Sequence, residues 1–187
     1  MVLLDMTMRV DPHVPVFYLD TGLLFDEVRA LTARARERYG IDPIAMTPAQ
    51  SLDEQAERYG AALWERDPDL CCALRKVEPY RAFMRGYAAW LTGIRRTQSA
   101  VRREVAPMSV DDDGITKVSP LFDWTDDDIE QYVAAYDVPV NALHAQGYPG
   151  VGCVPCTRAV APGEDARARR WVAKTECGLH VRTAAAR

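Results

Sequence analysis

Val14-Pro15-Val16-Phe17-Tyr18-Leu19-Asp20-Thr21-Gly22 is an apolar run cut off by a polar turn, and it decides how the rest of the chain is read. Six mostly apolar residues bounded by a Gly-containing turn predict a buried strand. Directly after it, Asp26–Tyr39 carries Val28, Leu31 and Ala35 on one helical face, and Gly40 stops the pattern. Ile41–Met46 follows as a weaker strand. Strand, helix and strand in this order predict an α/β fold with a mainly parallel sheet flanked by helices.

The same alternation extends both ways. Met1–Val10 is apolar at helical spacing, with Leu4 and Met8 on one face and no cap before it. Ser51–Trp64 reads as one helix, opened by Ser51 with Glu54 three residues on. Cys71–Arg85 is a cysteine-led helical segment in which Pro79 leaves open a break or two short helices. Ala88–Ile94 and Ile115–Val118 read as further strands. Thr125 caps a helix to about Tyr136, with Asp128 completing a capping box. Beyond Pro139 the chain is rich in Gly and Pro, up to a basic helical stretch near 166–173. The expected division is a nucleotide-binding domain over 1–160 and a C-terminal segment over 161–187.

The chain has 187 residues, with 23 Lys and Arg against 27 Asp and Glu, for a net charge of −4. That balance argues against a general nucleic-acid or anionic-membrane binder. No stretch approaches the roughly 18 apolar residues of a membrane span, and Asp5 interrupts the first apolar run, unlike a signal peptide. A cytoplasmic protein is expected, in which cysteines read as metal or redox chemistry before disulfides.

Four of the five cysteines form two tight pairs, Cys71-Cys72 and Cys153-Val154-Pro155-Cys156. Two such pairs can meet and offer four thiolates, which suits Zn²⁺ or an iron–sulfur cluster. The directly adjacent pair is unusual for structural zinc. A thioredoxin-like redox motif, or buried cysteines that only fill space, stay open as alternatives. Lys76 lies one helical turn after Cys72. The fifth cysteine sits in Glu176-Cys177-Gly178-Leu179-His180, where His180 and the nearby arginines can favour its thiolate, the form that attacks electrophilic sulfur. An incidental cysteine in a loose tail is the other reading.

Taken in order, Tyr18-Leu19-Asp20-Thr21-Gly22, Cys71-Cys72-Ala73-Leu74-Arg75-Lys76-Val77-Glu78-Pro79, Gly93-Ile94-Arg95-Arg96-Thr97-Gln98-Ser99, Pro120-Leu121-Phe122-Asp123-Trp124, Gly152-Cys153-Val154-Pro155-Cys156-Thr157-Arg158 and Glu176-Cys177-Gly178-Leu179-His180 form a pattern. The sequence resembles the assimilatory adenylyl-sulfate (APS) reductases of the phosphoadenylyl-sulfate (PAPS) reductase family. The resemblance implies an adenine nucleotide alpha hydrolase-like, Rossmann-like sheet. It implies that Cys71, Cys72, Cys153 and Cys156 bind a [4Fe–4S] cluster. It implies that Cys177 attacks the sulfur of APS, releasing AMP, and that thioredoxin then frees sulfite. Lys76, Arg95, Arg96, Arg167 and Arg170 match the family's basic substrate-binding positions, Leu19, Thr21 and Gly93 match positions near the adenosine, and His180 matches a histidine close to the nucleophile. Family members that use the 3′-phosphorylated substrate typically lack both cysteine pairs, which favours APS.

Two departures from the pattern stand out. The family's Ser-Phe-Gly-Ala-Glu-Asp-like phosphate loop would precede the helix that starts at Met1, so an N-terminally truncated sheet is expected, with its activity left open. The stretch from Trp171 to Glu176 is shorter than usual. A PAPS reductase, or an inactive iron–sulfur nucleotide-binding paralogue, remain the alternatives, and homo-oligomer formation stays open.

Overall fold

The computed structural model describes residues 1–111, 113–161 and 164. The basic stretch near 166–173, and with it Arg167, Arg170, Cys177 and His180, lies outside the described residues. The predicted βαβ unit is present. Strand β1 (Phe17–Leu19) pairs in parallel with β2 (Ile44–Met46), Phe17 opposite Ile44. Helix α2 (Asp26–Tyr39) makes the crossover, and Gly40 ends it in the left-handed region at φ 62°, a conformation glycine adopts without a Cβ penalty.

A second sheet holds β3 (Ala89–Leu91), β4 (Met108–Val110) and β5 (Thr116–Val118) in the order β3-β5-β4. The β3–β5 pair is parallel and the β4–β5 pair antiparallel. The α/β architecture with parallel pairing therefore stands, but among the described residues the strands form two sheets and not one. Strands β1, β2, β3 and β5 are shorter than the apolar runs that announced them, because ladder pairing, not hydrophobicity, sets their ends.

What joins the sheets is aromatic. Helix α6 (Glu78–Met84) sends Tyr80 and Met84 into a core with Ile115, and Phe17, Phe83 and Trp90 pack around it. Phe17 of β1 lies 5.3 Å from Phe83 and 6.3 Å from Trp90 of β3, between ring centroids. Tyr80 closes on Trp90 at 5.4 Å. One helix thus covers both sheets, at spacings that suit tilted aromatic pairs.

The segment expected as Ser51–Trp64 is two helices. The capping box of α3 (Leu52–Tyr59) is as read: Ser51 accepts from the Glu54 N–H and Glu54 accepts from the Ser51 N–H. The helix stops at Gly60, φ 83°, and α4 (Leu63–Arg66) starts beyond it. Arg66 causes the break to hold. Its guanidinium folds back over Gly60 to the carbonyls of Tyr59 and Ala61, where a Cβ on residue 60 would meet it at 2.6 Å.

The cysteine segment is two short helices, joined without a break. Helix α5 (Pro68–Cys72) runs into a π-helical turn (Ala73–Val77) and then into α6, with right-handed helical φ and ψ at both joints. The ladder has widened before Pro79, which sits near the start of α6, so its missing N–H is tolerated. Helix α7 (Asp126–Tyr136) carries the predicted Thr125–Asp128 capping box.

A buried carboxylate ties the first helix to the rest. Asp5 of α1 (Val2–Val10) accepts from Arg9 Nε at 2.7 Å, Tyr132 Oη at 2.9 Å and Tyr39 Oη at 3.0 Å. Burial alone would raise its pKa, but these donors and the Arg9 charge hold it below the ordinary 3.8. In return, burial and Asp5 push the Tyr39 hydroxyl up to about 12. No helix among the described residues is long and apolar enough to cross a membrane.

Candidate functional site: a four-cysteine cavity beside the strand ends

Three segments converge on one cavity. The first is the polar turn after β1. Thr21 is 1% exposed, and its hydroxyl lies 3.3 Å from Cys153 Sγ. The second is the Gly152–Thr157 segment. Cys153 bridges to Leu24 in an antiparallel β-bridge, and the Val154 N–H donates to the Leu23 carbonyl at 2.8 Å. A 3₁₀ turn over Val154–Cys156 follows. With three residues per turn, it stacks residues i and i+3 on one side, so Cys153 and Cys156 face the same way. The third is α5 with its π turn, on which Cys71, Cys72, Arg75 and Lys76 are all buried.

The two pairs predicted to meet do meet. Cys71, Cys72, Cys153 and Cys156 line one small cavity, together with Arg75 and Lys76. Leu23, Trp64 and Pro68 supply apolar wall. None of the four cysteines is in a disulfide. Arg75 and Lys76 each follow a cysteine by four residues, so both cations stand one turn from a thiol.

Arg75 links the segments of the site. Its Nε donates to the Thr21 carbonyl at 2.6 Å, and its Nη1 donates to Gln55 Oε1 at 3.0 Å and to the Gln50 carbonyl at 3.4 Å. All three acceptors are neutral oxygens. Burial lowers the Arg75 pKa, while the thiolate forms of Cys71 and Cys153 and the more distant Asp20 act the other way. Burial, then Cys153, pushes the Cys71 thiol up, against the pull of Arg75, Lys76 and Gln55. Without a bound cation the thiol keeps its proton, and a coordinating metal removes it.

The donor set limits what can be held. Zinc–thiolate bonds are about 2.3 Å, so ligands of one zinc ion crowd around a point. Among the described residues, no three His, Cys, Asp or Glu side chains gather that way. Four thiols with two buried cations beside them line the cavity, a donor type that suits soft metals.

The other predicted residues divide. Leu19 ends β1, and Gly93 follows β3, with its missing Cβ facing Leu3 at 3.9 Å. Both stand at the carboxyl ends of parallel strands, where α/β sheets bind ligands. Thr21 stands at such an end too, but its hydroxyl is turned to Cys153. Arg95 is buried, and its guanidinium is engaged by the Trp124 carbonyl (3.2 Å), Thr97 Oγ1 (3.3 Å) and Asp126 (2.5 Å). Arg96 is exposed, bonds the Val105 carbonyl at 2.7 Å and stacks over Phe122 at 4.7 Å. Sequence reasoning missed Arg75 and Gln55. The four-residue spacing from Cys71 was the signal for Arg75, while Gln55 left none.

The chain matches known proteins over most of its length. Residues 1–159 match the phosphoadenosine phosphosulfate reductase domain. The chain belongs to that family. An adenosine 5'-phosphosulfate reductase of Halalkalibacterium halodurans is 45% identical over 184 residues, 96% of this chain and 80% of its own length. The Mycobacterium tuberculosis protein of the same name is 44% identical over 183 residues, 96% of this chain and 72% of its own. Among solved structures, a Candida auris PAPS reductase in complex with phosphate superposes with a TM-score of 0.74 at 30% identity, over 84% of this chain and 77% of that one. The sulfonucleotide reductase fold is therefore shared with enzymes named for either substrate.

Proposed function

We propose that the chain is a thioredoxin-dependent adenylyl-sulfate reductase of the cytoplasm, acting in sulfate assimilation. The observation that carries this reading is the convergence of all four paired cysteines on one cavity, in a chain 45% identical to an APS reductase. Under this reading Cys71, Cys72, Cys153 and Cys156 hold a [4Fe–4S] cluster, with Thr21, Arg75 and Lys76 around it. When bound, the cluster supplies a fixed, charged platform that tunes and positions; the electrons come from thioredoxin.

The chemistry rests on protein side chains. The domain over 1–160 binds the nucleotide at the strand ends, with Leu19, Thr21 and Gly93 near the adenosine. The segment over 161–187 brings Cys177. Its thiolate attacks the sulfur of APS, an S–S bond forms, and the S–O bond to the phosphate breaks. AMP leaves with the electron pair. His180 favours the thiolate, and Lys76, Arg95, Arg96, Arg167 and Arg170 are the cations assigned to the phosphosulfate. Charge that grows on the leaving phosphate is stabilised by fixed cations more than the ground state is. Arg95 acts on that charge only by opening its bond to Asp126, or else serves by holding the loop that presents Arg96. The dithiol of thioredoxin then displaces sulfite from S-sulfo-Cys177 and is itself oxidised to the disulfide.

The test is to incubate anaerobically purified protein with sulfur-labelled APS and then add reduced thioredoxin. Label on Cys177, released as sulfite by thioredoxin and absent in Cys177→Ser, is expected. Sulfite formation by Cys177→Ser at the wild-type rate would overturn the mechanism. Faster turnover of PAPS than of APS would move the substrate assignment.

A further inference from the structure

We propose that the outer edge of β4 is a self-complementary interface, on which a second copy of this chain pairs strand against strand. Strand β4 is the last of the sheet β3-β5-β4. Its inner edge is in use: Ser119 donates to the Pro107 carbonyl at 2.8 Å, and Asp111 donates to the Ile115 carbonyl at 3.0 Å. Backbone groups in an antiparallel pair alternate between the two sides of a strand. Pro107, Ser109 and Asp111 therefore point at β5, and Met108 and Val110 present their N–H and C=O groups outward. Among the described residues nothing bonds these four groups. Proline blunts many exposed edges, but Pro107 has its ring nitrogen on the inner side and blocks nothing. The side chains suit an interface as well. The register sets Leu91, Val118 and Met108 in one row across the sheet and Ala89, Thr116 and Val110 in the next, on the face away from Trp90. Met108 is 61% exposed and Val110 67%.

Two observations select a second copy as the partner. The first is the pairing itself. With a two-fold axis at Ser109, Met108 lies opposite Val110 of the partner subunit, and the reverse holds by symmetry. Both outward residues of each strand are then paired, and four N–H···O=C bonds form. An axis at Met108 or at Val110 would match only one residue of the strand and form two. The second is charge. The chain enters β4 from Arg102-Arg103 and leaves it into Asp111-Asp112-Asp113. An antiparallel partner sets the basic approach of one copy beside the acidic exit of the other. Glu104 offsets one arginine and Arg81 pairs with Asp113, so the two ends keep opposite signs. The joined sheet runs β3-β5-β4-β4-β5-β3 and leaves no open edge at its centre. This interface is independent of the chemistry at the cysteines.

Sedimentation equilibrium of the anaerobically purified full chain tests it. Wild-type protein is expected to approach twice the chain mass as its concentration rises to the sub-millimolar range. Met108→Lys combined with Val110→Lys sets like charges directly opposite each other at both pairs and should leave monomer only. Met108→Glu combined with Val110→Lys sets opposite charges across the same pairs and should restore the dimer. Both positions are exposed, so far-ultraviolet circular dichroism should match wild type in each double variant. With the axis at Met108 or Val110, a charge in the second variant would meet its own kind, so the recovery is specific to Ser109. Wild-type protein that sediments as monomer at every concentration would overturn the interface. So would a dimer undiminished in the double lysine variant. Loss in that variant without recovery in the opposite-charge variant would overturn the pairing about Ser109.

Discussion

Asp5 and Arg75 are both buried ions at the meeting point of distant segments, yet their surroundings differ in kind. Asp5 receives a cation and two hydroxyls from α1, α2 and α7. Its charge is matched within the protein, and the cluster of partners is closed. Arg75 bonds three neutral oxygens and faces four thiols. Its charge is oriented but not neutralised by its hydrogen-bond partners. A buried ion with complete compensation is a staple, while a buried ion fixed by neutral groups beside a cavity is prepared for a charged guest.

That contrast can be broken experimentally. The largest expected effect is at the thiols: Cys153→Ser should lose essentially all bound iron, read by iron analysis and visible absorbance, with no change around Asp5. Next is Arg75→Met, which leaves the Thr21 carbonyl and Gln55 without their donor and should cost about 3 kcal/mol in urea unfolding. Arg75→Lys should recover less than half of that, because an ammonium cannot reproduce the planar fork.

Asp5→Asn should cost about 2 kcal/mol at neutral pH, the scale of hydrogen bonds to a charged group. The pH dependence follows from a folded pKa held below the ordinary 3.8. The unfolded chain binds the Asp5 proton more readily, so the stabilisation is whole above that value. It is lost as the pH falls through the folded value. The gap between wild type and Asp5→Asn should therefore narrow only below about pH 4. The smallest effect is expected at the surface. Arg81→Ala breaks a half-exposed ion pair to Asp113 (2.9 Å) and should change stability by about 0.5 kcal/mol or less.

The readable features were the local ones. Both capping boxes, at Ser51–Glu54 and Thr125–Asp128, depend on residues three apart and stand in the sequence as they stand in the structure. The βαβ unit was legible because Leu19, Gly40 and Met46 mark its ends. Strand β4 was not, since Met108, Ser109 and Val110 are all exposed and carry no alternation of buried and solvated positions. The break at Gly60 was hidden because it depends on where the Arg66 side chain folds. The π turn was hidden because its backbone angles stay helical. At the site, the cysteine pairs declared themselves by spacing. The engagement of Arg95 by Trp124 and Asp126 did not, because those partners lie about 30 residues away.

The bond between Thr21 and Cys153 spans 132 residues. Closing a loop of that length is entropically unfavourable, although the cost grows only with the logarithm of its length. Contacts of such separation also slow folding. The cavity therefore cannot exist until the ribosome has released the chain past Cys156, whatever the earlier helices have done by then. A group gripping both cysteine pairs would act afterwards as a cross-link over most of the domain, restricting the unfolded chain as a long-range disulfide does. Loading and final consolidation of the fold thereby become a single late event in the life of the molecule.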